Sequence, residues 1–74
     1  MRFIEMSGKT LLKLVNDEEM HSLREAGITE HSLIRINRQG DIEVRQRASW
    51  DVIGGLLGDF ETRVKKGTGL EWAE

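Results

Sequence analysis

Residues 33–46, "LIRINRQGDIEVRQ", are the stretch from which the fold is read. Apolar residues alternate with polar ones at Ile34, Ile36, Ile42 and Val44, the period of a strand with one buried face. Between them lies "NRQG", a turn composition with Gly40 at the position that needs a left-handed backbone. Folding the stretch at that turn sets Ile36 opposite Ile42, Ile34 opposite Val44 and Arg35 opposite Glu43. Apolar then meets apolar on one face, and opposite charges meet on the other. A slip of one residue would destroy both matches, so the pattern predicts this hairpin and its register together. The Arg35–Glu43 pair is expected to be exposed and to contribute under about 1 kcal/mol.

Upstream, "DEEMHSLREA" (17–26) reads as a short helix. Asn16 or Asp17 can cap it, three carboxylates occupy its first turn, and Gly27 ends it, with Ile28 packing back. Residues 2–6, "RFIEM", are β-prone. Residues 9–15, "KTLLKLV", admit two readings. As a strand they return through a Ser7-Gly8 turn, with Ile4 opposite Leu11 and Phe3 opposite Leu12. As a helix capped by Ser7, they set Leu11, Leu14 and Val15 on one face. The strand keeps both apolar pairs matched and is the preferred expectation.

Downstream, "WDVIGGLLGDFETRVKK" (50–66) steps its apolar residues by three and four: Trp50, Ile53, Leu57, Phe60, Val64. With Ser49 as cap and Gly67 as stop, this predicts a long C-terminal helix. Gly54, Gly55 and Gly58 would lie inside it, each costing about 0.8–1 kcal/mol relative to alanine. Such a cost is tolerable where another backbone comes close, either the protein's own hairpin or a second chain. The tail 70–74 carries Trp72. The expected architecture is α+β, in the order β-β-α-β-β-α with a domain over 1–69. With 9–15 helical, the order becomes β-α-α-β-β-α on a three-stranded sheet.

Composition bounds function. A chain of 74 residues without cysteine has no disulfide or thiolate-metal staple and must hold together by burial. The 11 basic and 13 acidic side chains give a net charge of −2, which argues against strong non-specific nucleic-acid binding. No apolar run is long enough to span a membrane, and the N-terminus lacks a secretory pattern, so a cytoplasmic location is the default expectation.

The residues that could carry chemistry do not converge in sequence. "GKT" at 8–10 ends like a phosphate-binding loop, but the glycine required five positions earlier is Phe3 and Glu5 would oppose the phosphates. His21 and His31, ten apart, match no metal-ligand spacing, and the serines have turn or cap roles. No enzyme activity, cofactor or metal is expected. What remains is binding. Trp50, Gly54, Gly58 and Trp72 are the candidates for a protein partner or self-association, because tryptophan is enriched at interface hot spots and the glycines permit close approach. Arg35, Arg38, Arg45 and Arg47, beside Asn37, Gln39 and Gln46, form the alternative: a basic hairpin that reads base edges in a major groove.

Overall fold

A computed structural model describes residues 2–72; Met1 and, from the expected 70–74 tail, Ala73 and Glu74 lie outside the described residues. The elements run β1 (Phe3–Ser7), α1 (Gly8–Leu14), α2 (Asp17–Glu25), β2 (Leu33–Asn37), β3 (Asp41–Arg45), β4 (Trp50–Gly55) and α3 (Phe60–Thr68). The strands form one antiparallel sheet in the order β1-β2-β3-β4, an α+β fold as expected.

The β2–β3 hairpin has the predicted register, with Ile34 opposite Val44, Arg35 opposite Glu43 and Ile36 opposite Ile42. Gly40 has φ +89, the left-handed conformation the turn requires. The helix α2 is closed by a capping box: the Asn16 side chain accepts from the Glu19 N–H at 2.8 Å, and Glu19 Oε1 accepts from the Asn16 N–H at 3.0 Å. Gly27 (φ +91) turns the chain, and buried Ile28 packs back against the helix end.

Two segments depart from the expected elements. Residues 9–15 are not a strand; Gly8–Leu14 is helical, and Ser7 Oγ accepts from the Thr10 N–H at 3.2 Å to cap it. A strand would send adjacent Leu11 and Leu12 to opposite faces, whereas the helix buries Leu11 and Leu14 together. The partner of β1 is therefore β2, with Ile4 opposite Ile36 and Met6 opposite Ile34. Gly8 is not a hairpin turn but a close approach: a Cβ there would lie 1.8 Å from the Thr29 carbonyl oxygen.

The long helix over 50–66 does not form either. Trp50–Gly55 is strand β4, and α3 begins only at Phe60. Two adjacent glycines weaken a helix by about 2 kcal/mol, and pairing with the open edge of β3 satisfies the same backbone more cheaply. Gly58 lies between the two elements with φ +67, and Gly69 (φ +76), not Gly67, caps α3. Gly67 sits inside α3, where a Cβ would come within 3.3 Å of the Leu14 side chain on α1. The glycine at a close helix contact is thus Gly67.

All three helices pack on one face of the sheet. The core beneath them is Ile4, Met6, Leu11, Leu14, Leu23, Ile28, Ile34, Ile36, Ile42, Leu56 and Val64. Trp72 closes it from the C-terminal side. Its indole N–H donates to the Ile36 carbonyl at 3.0 Å, and its ring meets Phe60 edge-on at 5.8 Å.

Gly8→Ala should destabilise by about 1–3 kcal/mol, because the methyl runs into backbone that cannot step aside. A Cβ at Gly54 meets nothing within 4 Å, so Gly54→Ala should be neutral or stabilise by up to about 1 kcal/mol. Urea midpoints check both; equal midpoints would contradict the packing around Gly8.

Candidate interaction surfaces

The sheet face opposite the helices is open. Strand alternation and register bring Phe3 and Glu5 of β1, Leu33 and Arg35 of β2, Glu43 and Arg45 of β3, and Trp50 and Val52 of β4 to this face. Leu33 and Val52 are large apolar side chains left exposed on it, at 48% and 66%. At its centre the Arg35 guanidinium lies 3.9 Å from the ring centre of Phe3 and 4.3 Å from that of Trp50. The same group donates to Glu43 Oε1 at 2.9 Å, while its Nε finds no acceptor among the described residues. The Arg45 guanidinium lies 5.7 Å from the centre of the Trp50 ring.

This stack explains why Glu43 is buried on a face that carries no helix: only neighbouring side chains can shield it. The pair is therefore not the exposed, weak one expected from sequence, since the Arg35 side chain is only 24% exposed and Glu43 11%. Each cation–π contact contributes about 0.5–2 kcal/mol depending on desolvation. A planar guanidinium can lie between two rings while pairing with a carboxylate; an ammonium cannot.

Sequence reasoning assigned Trp50 to one function and Arg35 with Arg45 to another, yet all three share this stack. Arg38 lies in the β2–β3 turn and Arg47 in the β3–β4 turn, at opposite ends of β3. The four arginines therefore form no single basic patch, and Glu5 and Glu43 share the face with Arg35 and Arg45. Gly54 and Gly58 present no helix face, because neither lies in a helix. Trp72 is committed to the core by its hydrogen bond to β2.

A polar node on the helix side was not legible in sequence. Arg63 of α3 donates to both Glu19 oxygens, at 2.6 and 3.2 Å, and to the carbonyls of Leu14 and Leu57 at 3.2 and 2.6 Å. Glu19 also accepts the Leu57 N–H at 2.8 Å. Burial by itself would raise the Glu19 pKa, but the bonds from Arg63, Leu57 and Asn16 outweigh it and hold the carboxyl at about 2, against an ordinary 4.5. The same pairing raises the pKa of Arg63. Both Glu19 oxygens and both terminal nitrogens of Arg63 are hydrogen-bonded within the fold, so the node ties α1, α2 and α3 together.

Beside this node, a cleft of about 330 Å³ opens between α2 and β4. Leu23, Ile42 and Ile53 contribute its apolar lining, Glu18 and Ser22 come from the helix, and Gly54, Gly55 and Leu57 from β4 and the residues after it. His21 pairs with Glu25 at 3.2 Å and His31 with Glu30 at 3.5 Å, both on the surface. Among the described residues no group of three or more His, Cys, Asp or Glu could hold a metal, and no helix is long and apolar enough to cross a membrane. Comparison with protein-family models, with curated proteins and with solved structures finds no match.

Two outcomes follow from this geometry. Because folding lowers the Glu19 pKa, its contribution is complete above the unfolded value near 4.5 and is lost as pH falls towards 2. The loss amounts to about 3 kcal/mol, and Glu19→Gln should flatten that part of the stability–pH curve. On the open face, Arg35→Ala should cost about 2–3 kcal/mol and Arg35→Lys should recover less than half of it. Full recovery by lysine in urea melts would show that charge alone, not stacking, holds the face.

Proposed function

We propose that this chain is a non-enzymatic protein-interaction module that docks through the open face of its sheet, with a second copy of itself as the partner. The observation that carries this reading is Leu33 and Val52, exposed on either side of the rigid Phe3–Arg35–Trp50 stack. Stacked aromatics with arginine, flanked by exposed aliphatics, resemble the composition of interface centres. The rings are already held by Arg35, so little side-chain entropy is lost on docking.

The charge pattern supports a second copy. Glu5 lies on the β1 flank of the face and Arg45 on the β3 flank, with Arg35 between them. A twofold axis through the middle of the face sets the acidic flank of one copy against the basic flank of the other. The sequence-based route to self-association, a glycine-faced helix, has no support, since that helix does not form.

The nucleic-acid alternative is weaker. Arg35 is engaged by Glu43, one ring face of Phe3 and of Trp50 is taken up by Arg35, and Arg38 and Arg47 stand at opposite ends of the hairpin. Sedimentation equilibrium should show concentration-dependent dimerisation. The double change Leu33→Glu with Val52→Glu should leave the fold intact, both positions being exposed, and hold the chain monomeric. A wild type that is monomeric at every concentration overturns self-association. Titration with duplex and single-stranded DNA at low salt should give no binding; a salt-steep affinity lost with Arg35→Ala and Arg45→Ala would favour the alternative instead.

A further inference from the structure

We propose that the cleft between α2 and β4 is a strand-addition site for a short extended peptide segment that carries aliphatic residues beside a basic one. This goes beyond the open-face reading, since it uses the other side of the sheet and its edge.

Three observations carry it. First, β4 is an edge strand: it pairs with β3 on one side only, leaving outward backbone N–H and C=O groups along the other. Second, the strand bulges there. The register changes between Ile42 and Glu43, so that Ile53 is the extra residue between the Glu43–Val52 and Ile42–Gly54 pairs. The bulge turns Ile53 towards the core side and limits the regular edge to a few residues, which suits a short segment rather than a long flat sheet. Third, the apolar cleft runs beside this edge, with α2 as its far wall. A segment adding to β4 would place alternate side chains into the cleft, the arrangement in which backbone bonds supply affinity and a helix-flanked pocket supplies selectivity.

Gly54 shows that the space is there to be used. A Cβ at this position meets nothing within 4 Å, although its partner Ile42 is 1% exposed in the core. The charge of the rim selects the occupant. Glu18 lines the cleft and exposed Asp51 lies further along the same face of β4, whereas among the described residues no lysine or arginine lines it. A basic side chain flanking the aliphatic ones complements that rim.

The probe is the acetylated and amidated peptide Lys-Thr-Val-Lys-Ile-Thr-Lys, titrated into the full chain and followed by amide NMR shifts and hydrogen exchange. Shifts should map to Trp50–Gly55 and to α2 around Ser22 and Leu23, with added exchange protection on β4. Gly54→Val should keep the fold, fill the cleft with its own side chain and abolish binding. Glu18→Lys should weaken this peptide up to about fivefold and favour a version with glutamates in place of lysines. Leu33→Glu, on the open face of β2 and away from β4, should leave binding unchanged while weakening any dimer, which separates failure of this proposal from failure of the previous one. The proposal is overturned by absence of shifts at millimolar peptide, by shifts confined to the open face, or by binding that survives Gly54→Val. Undiminished binding of a backbone N-methylated peptide would show an apolar pocket without strand addition. Concentration-dependent shifts on β4 without peptide would make the occupant a second copy.

Discussion

The pair formed by buried Glu19 and half-buried Arg63 is the constraint around which the helical layer is organised. Four segments meet at it: the end of α1 through the Leu14 carbonyl, the start of α2 through Asn16 and Glu19, the β4–α3 connection through Leu57, and α3 through Arg63. None of these segments is long enough to be a stable helix or loop by itself. The pair costs desolvation on both sides, and a buried ion pair is weak evidence for stability unless its remaining lone pairs and protons are used. Here they are used: Glu19 accepts from two backbone N–H groups besides Arg63, and Arg63 donates to two carbonyls besides Glu19. The node thus adds stability while its carboxylate is ionised and fixes where α2 sits relative to β4, and so the width of the cleft between them.

The two faces of the sheet solve the same problem differently. On one, helices bury the isoleucines. On the other, no helix or second sheet among the described residues forms a covering layer. The open face covers itself instead, by laying an arginine between Phe3 and Trp50 over a paired glutamate. That covering is incomplete, since Leu33 and Val52 stay exposed, and the remainder is the surface available for docking. Both proposed surfaces therefore follow from one circumstance: the chain folds a four-stranded sheet but covers one face and one edge only in part.

Much of the local structure was legible because local rules agreed with one another. The 33–46 hairpin, its register and Gly40 were fixed by alternation and turn chemistry within fourteen residues. The Gly27 stop of α2 was legible in the same way, and its cap was narrowed to Asn16 or Asp17, of which Asn16 is the one used. Misreadings arose where two local rules conflicted. Residues 50–58 carry a helical apolar period but also three glycines, and the glycines were the better signal. Residues 9–15 could pair as a strand with Phe3 and Ile4, but the Ser7 cap and the adjacent leucines favoured a helix.

The sequence by itself determined the hairpin and the α+β class, because each depends on residues close along the chain. Only the tertiary structure decided what those residues face. Trp50 and Arg35, fifteen positions apart, became one stack because β4 joined the sheet rather than forming a helix. Glu19 and Arg63, forty-four positions apart, became partners because α3 returned over α1 and α2. Long-range partners like these are chosen by which edge and which face remain unsatisfied once the local elements have formed, and no window of sequence contains that information.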